Sequence, residues 1–240
     1  MPSHPELFAE PRRAIVVGCS GGIGAALGRG LEAKGFAVTG VARSSATTAL
    51  PIDLTSEASV AAAADALADG APYSIIIVAT GLLHDDRVAP EKSLRDLSAD
   101  TLLRYFAVNA VGPALLAKHF VPLLPKDGPC RFAALSARVG SITDNRLGGW
   151  YGYRASKAAL NMLIRTLAIE VGRTRPEAIC VGLHPGTVDT GLSQPFQRGV
   201  APGKLFSPDY AAGKLLEVMA GLSPADSGGC FAWDGERIQP

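Results

Sequence analysis

The chain has 240 residues, 48% of them hydrophobic and 19% charged, and its 23 basic and 22 acidic side chains leave a formal net charge of +1. That length suits one domain with a full core, and the near-neutral charge gives no reason to expect a nucleic-acid or acidic-membrane partner. Cys19, Cys130, Cys180 and Cys230 stand far apart with no Cys-x-x-Cys or histidine pair beside them, which argues against a metal site or disulfide framework and for buried thiols in a reducing, cytoplasmic setting.

Taken in order, short apolar runs alternate with longer amphipathic ones. Residues 14–18 read as a strand, 22–34 as a helix, 36–42 as a second strand and 50–53 as a short third. Residues 56–68 are Ala-rich and helical. The run Ser74-Ile75-Ile76-Ile77-Val78-Ala79 has the continuous β-branched character of a strand covered on both faces. A long helix follows over 98–124, with Pro113 as an expected kink. A strand at 131–136, a second long helix at 151–171, a strand at 179–183, a helix at 208–221 and a strand at 229–233 complete the chain. Strand–helix alternation predicts an α/β fold with a doubly wound, mainly parallel sheet between two helical layers. The Pro- and Gly-bearing stretch near 190–207 is the expected substrate loop. The N-terminus has no basic region leading into an apolar one, and no run approaches 18 apolar residues, so neither a secretory signal nor a membrane span is expected.

Between the first strand and the first helix stands Gly18-Cys19-Ser20-Gly21-Gly22-Ile23-Gly24. Glycines let backbone approach a ligand closely, and the helix that follows aims free N–H groups at a pyrophosphate, so Gly18, Ser20, Gly22, Ile23 and Gly24 are expected to hold a dinucleotide. The ribose-reading position about 20 residues past the last glycine carries Arg43 and no acid. A guanidinium there favours a 2′-phosphate, which predicts NADP(H) over NAD(H). Ser20 and Ser44 could add neutral hydrogen bonds to that group. Asp53 either contacts the adenine or caps the helix beginning near Ser56. Further on, Tyr153 and Lys157 lie four apart on a helix and so share a face. An ammonium beside a phenol favours the phenolate, which suits Tyr153 to proton exchange near neutrality.

The glycine turn, Asn109, Tyr153 with Lys157, and His184-Pro185-Gly186-Thr187-Val188-Asp189-Thr190 occur in an order and spacing that resembles the short-chain dehydrogenase/reductase family across essentially the whole chain. Val139-Gly140-Ser141-Ile142 and Gly149-Trp150-Tyr151-Gly152-Tyr153 look like its C-factor-like branch, which is similar to sniffer-type carbonyl reductases. The resemblance implies a Rossmann-like fold and a carbonyl/alcohol oxidoreductase acting on a small molecule. It implies Tyr153 as proton donor, Lys157 on the nicotinamide ribose, and Asn109 supporting a water-linked proton path. It also implies Pro185, Gly186, Val188 and Thr190 around the nicotinamide, and a homodimer or homotetramer paired through the two long helices. Three departures stand out: Val17 opens the turn, Val78-Ala79-Thr80-Gly81 keeps only Gly81 of the usual loop after the fourth strand, and Ser136-Ala137 replaces a serine pair. The active-site hydroxyl is therefore left between Ser136 and Ser141. That gap keeps alive a rival reading, a cofactor-binding signalling or scaffold protein with little turnover. His84, Asp85 and Asp86 read as a solvated loop, His184 as structural, and Trp150 and Tyr151 as pocket wall or subunit contact.

Overall fold

The computed structural model describes residues 11–43 and 50–240. Among them, eight strands form one sheet: β1 (Arg13–Val17), β2 (Ala37–Ala42), β3 (Leu50–Pro51), β4 (Ile75–Val78), β5 (Cys130–Leu135), β6 (Ala178–His184), and near the C-terminus Cys230–Ala232 and Arg237–Ile238. From one edge the order is Arg237–Ile238, Cys230–Ala232, β6, β5, β4, β1, β2, β3, and every pairing is parallel except that of the edge strand Arg237–Ile238. This is the doubly wound, mainly parallel sheet that the alternation predicts and the Rossmann-like fold that the resemblance implies. The antiparallel edge strand escaped the sequence reading, although Asp234-Gly235 ahead of it is a hairpin signal and Gly235 does take φ +86°.

Strand pleating divides the core. Ile76 and Val78 of β4 join Ile15 and Val17 of β1 on one face, beneath helices α2 (Glu57–Leu67), α4 (Gly112–Phe120) and α5 (Tyr151–Gly172). Ile75 and Ile77 join Ala14 and Val16 on the other, beneath α1 (Gly22–Glu32) and α6 (Pro208–Gly221). The chain builds outward from β1 to β3, then crosses back to β4 and continues the other way. The carboxyl ends of β1 and β4 thus flank the point where strand order reverses, where open α/β sheets bind ligands.

The long helix expected over 98–124 is broken into α3 (Ala99–Phe106), a π-helical turn at Ala107–Val111, α4, and a last 3₁₀ turn at Val121–Leu123. Pro113 has no N–H to give to the carbonyl four residues back, and its ring crowds that turn, so the helix widens just before it. The run Ala99–Leu123 is long and apolar enough to cross a membrane by length and composition, but half of its most apolar stretch is buried inside the fold. Two further two-residue strands, β7 (Thr187–Val188) and β8 (Leu205–Phe206), pair in parallel. They clamp both ends of the loop expected to cover substrate, which carries a 3₁₀ segment at Gln194–Gly199.

Candidate active site

A cleft of about 530 Å³ runs across the carboxyl edge of the sheet, a size typical of small-molecule sites. One end is made by the turn after β1. Gly18 takes φ +87°, and a Cβ on Gly24 would lie 2.1 Å from the Gly18 carbonyl oxygen, so α1 can sit against this turn only with glycine there. Gly18, Ser20, Gly22, Ile23 and Gly24 line the cleft, as do Arg43, Asp53 and Gly81. Ser44 lies outside the described residues. Of the alternatives for Asp53, the helix cap does not hold. Ser56, not Asp53, caps α2 by accepting from the Ser59 N–H, while the Asp53 carboxylate accepts from the Thr55 N–H and hydroxyl at 2.9 and 2.7 Å. Those bonds, more than the attraction of Arg43, hold its pKa below the usual value.

The other end is built from buried side chains. Asn109, in the π-helical turn, is 1% exposed. Its Oδ1 accepts from the Leu82 N–H at 2.8 Å, and its Nδ2 donates to the Leu82 carbonyl at 2.8 Å and to Ser156 Oγ at 3.1 Å. It therefore ties the loop after β4 to α5. Tyr153 and Lys157 stand one turn apart near the start of α5, both lining the cleft, with Lys157 Nζ 5.9 Å from the Tyr153 ring centroid. Nζ donates to the Leu135 carbonyl at 2.8 Å. Burial pushes the Tyr153 phenol up to about 12 and the Lys157 ammonium down to about 8, each toward its neutral form. Burial alone sets the direction at Tyr153, so the expected lowering by the Lys157 ammonium is not seen.

The two serines separate. Ser136 lines the cleft and donates to Asn161 Oδ1 at 2.6 Å. Ser141 does not reach it: its hydroxyl is 3.3 Å from both Thr143 Oγ1 and the Pro240 carbonyl and accepts from the Asp144 N–H at 3.1 Å, stapling a surface loop. The side chain packed in the apolar cluster with Tyr153 is Ala137, alongside Leu82, Leu83, Val88 and Tyr105. Pro185 and Thr190 line the cleft. Gly186 and Val188 instead serve the wall behind it: a Cβ on Gly186 would lie 2.7 Å from the Phe206 ring, and Val188 is buried against Phe206 and Ala211.

Further residues lie in or around the site. Thr80 lines the cleft, and its buried hydroxyl has no hydrogen-bond partner among the described residues. Ile52, Leu54, Thr55 and Leu192 add to the wall. His84, read as a solvated loop residue, has Nε2 3.0 Å from the Gly191 carbonyl and its ring edge-on to Phe196, so it holds the covering loop. Asp85 pairs with Arg104. Trp150 packs edge-on against both Tyr153 and Phe196. The His184 Nδ1 is enclosed with no partner among the described residues, and burial pushes its pKa down to about 4.

A strand-flanked glycine turn, a cleft at the switch point and a Tyr–Lys pair at its far end together define a nucleotide-dependent oxidoreductase architecture. Residues 12–201 match the family model described as short chain dehydrogenase, and the chain belongs to that family of oxidoreductases. It is 36% identical over 147 residues to the C-signal protein of Myxococcus xanthus, covering 61% of this chain and 82% of that one. It is 30% identical over 236 residues to the 1-hydroxy-2-glutathionyl-2-methyl-3-butene dehydrogenase of Rhodococcus sp. strain AD45, covering 94% and 98%. Its fold is also that of the NADPH-bound carbonyl reductase from chicken fatty liver, with a TM-score of 0.82, 24% identity and coverage of 95% and 99%.

Proposed function

We propose that this protein interconverts a carbonyl and an alcohol with NADP(H), using Tyr153 as proton donor in reduction and acceptor in oxidation. The observation that carries the reading is one continuous cleft that starts at the glycine turn and ends at Tyr153 and Lys157. The residues present fit a dinucleotide: the turn leaves no room for a Cβ at Gly24, Thr80 has an orphaned hydroxyl, and Arg43 stands exposed at the ribose end. When bound, the nicotinamide supplies or accepts the hydride. Gly18, Ser20, Gly22, Ile23 and Gly24 hold the pyrophosphate, Arg43 the 2′-phosphate, and Asp53, Gly81, Pro185, the backbone of Gly186 and Val188, and Thr190 border the remainder. Lys157 donates to the ribose hydroxyls and stabilises the phenolate of Tyr153. Asn109 fixes the backbone at Leu82 and the hydroxyl of Ser156, and through them the start of α5. Ser136 is the cleft hydroxyl, and Ser141 belongs to the scaffold.

NADPH consumption with a panel of aldehydes and 1,2-diketones tests this, run beside Tyr153→Phe. Losing the positioned acid is expected to cost about 10²-fold or more in turnover while NADPH affinity stays put. Turnover of Tyr153→Phe near that of the parent would refute the assignment. A parent that binds NADPH and turns over none of the panel would favour the rival, a cofactor-binding protein without catalysis.

We also propose that the chain is a single domain over 1–240 working in the cytoplasm, and that it pairs into a homodimer or homotetramer. Support for pairing comes from α3, the π turn and α5, where Leu103, Val111, Met162, Leu163 and Ile169 stay exposed beside a groove of about 580 Å³ between α4 and α5. A monomeric mass by light scattering at micromolar concentration would remove the assembly reading.

A further inference from the structure

Helix α5, which carries Tyr153 and Lys157, begins without a cap of its own. Trp150 precedes it in the left-handed conformation, at φ 53° and ψ 42°, and its side chain satisfies none of the first N–H groups. The missing acceptor comes from 61 residues upstream. Glu91 is 3% exposed, its Oε2 accepts from the Gly152 N–H at 3.1 Å, and its backbone carbonyl accepts from the Trp150 N–H. A carboxylate is costly to bury unless something compensates it, and a helix N-terminus is where a negative charge is favoured. The neighbouring backbone holds Glu91 inward, because the Lys92 and Ser93 N–H groups both donate to Asp96 Oδ2. Gly152 makes the approach possible: a Cβ there would lie 2.8 Å from Glu91 Oε1 and 2.4 Å from the Tyr105 ring. The residue after Gly152 is Tyr153, whose ring lies edge-on between Trp150 and Tyr105 at 6.1 and 6.3 Å.

We propose that Glu91 is a positioning residue, a cap supplied from the loop after β4 that fixes the first turn of α5 and with it the Tyr153 hydroxyl. This rests on Tyr153 being the proton donor. A hydroxyl displaced by about 1 Å can lose up to about 10²-fold in rate. Glu91→Ala is therefore expected to lower kcat roughly ten- to a hundredfold while the Kd for NADPH moves by less than about twofold, since the glycine turn lies at the other end of the cleft. Glu91→Asp keeps the charge but falls one methylene short, and it carries the test if the alanine variant does not fold. It should lose turnover in the same way, whereas Glu91→Gln, which keeps an acceptor oxygen in reach, should return to within about threefold of the parent. A second readout needs no turnover. In a Trp233→Phe background, Trp150 emission should shift to the red in Glu91→Asp and hold in Glu91→Gln. Parent-like kcat and emission in Glu91→Asp would overturn the proposal, as would equal losses of kcat and NADPH affinity. A parent with no carbonyl turnover would count against the Tyr153 reading, while the emission test of the Glu91 cap would still stand.

Discussion

The two ends of the cleft are made of different material. At the β1 end the surface is backbone, a turn in which glycine is required because no other residue leaves space or takes the left-handed φ of Gly18. At the α5 end it is side chains, and each is held by a partner distant in sequence: Asn109 by Leu82 and Ser156, Lys157 by Leu135, and the helix start by Glu91. A backbone-built surface fails when atoms are added. A side-chain-built one fails when they are removed.

The largest expected effect tests the first half of that contrast. In Gly24→Ala the new methyl meets the Gly18 carbonyl oxygen at 2.1 Å and the Gly18 carbonyl carbon at 2.8 Å, both backbone atoms that cannot swing aside. Overpacking of this kind costs about 1–3 kcal/mol, or a Tm lower by several degrees for a chain of this size, at about 2–4 °C per kcal/mol. NADPH affinity should fall with it, because the turn and α1 are forced apart. Gly21→Ala is the control: its Cβ would meet only the Gly18 oxygen, at 3.4 Å. Equal Tm values for the two variants in a melting experiment would break the contrast.

The same contrast explains what could be read from sequence alone. The glycine turn was legible because its constraint is local: seven consecutive residues between an apolar run and a helix. The mainly parallel sheet was legible through alternation, and β4 through its unbroken Ile-Ile-Ile-Val. Tyr153 and Lys157 were legible because helical periodicity places them on one face. Glu91 was not, because a charged residue in a loop gives no sign that it will be buried against a helix 61 residues later. The π turn at Ala107–Val111 was only half legible. Pro113 announced an irregularity, but not that the helix would widen ahead of it and turn Asn109 toward Leu82. The serine question stayed open because Ser136 and Ser141 both follow β5, and only the tertiary path separates a cleft residue from one stapled to Pro240.

The serines test the second half. Removing an aimed oxyanion donor can cost about 2.7–4 kcal/mol. The Ser136 hydroxyl is already committed to Asn161, so Ser136→Ala is expected to lose less, on the order of tenfold to thirtyfold in kcat. Ser141→Ala should leave kcat nearly unchanged and show its effect in Tm, because the bonds it removes are to Thr143, Asp144 and Pro240. Steady-state kinetics beside thermal melts decides this. A larger kcat loss in Ser141→Ala would mean that its loop moves into the cleft during turnover.

The smallest effect lies where the two halves meet, at the ribose end. Arg43 is exposed and lines the cleft, so most of its charge is screened by water until a phosphate arrives. Asp53 also borders the cleft and feels Arg43, but its carboxylate is occupied by Thr55 and no ion pair joins the two. The guanidinium is therefore available, while the nearby negative charge lowers the net attraction for a second anion. A charge-assisted contact is worth roughly 1.5–3 kcal/mol, and these opposing terms point to the lower end, about a tenfold preference for NADPH over NADH. Arg43→Ala should erase that preference by weakening NADPH alone, with NADH affinity almost unmoved, because NADH has no group at that position for the guanidinium to hold. Raising the salt concentration should narrow the parent's preference and leave the variant's ratio flat, since the contact is solvent-exposed. Titrating both cofactors into both proteins at two ionic strengths separates the outcomes. If the parent binds NADH as tightly as NADPH, Arg43 is not the reader of the 2′-phosphate, and the cofactor assignment falls while the chemistry at Tyr153 is untouched.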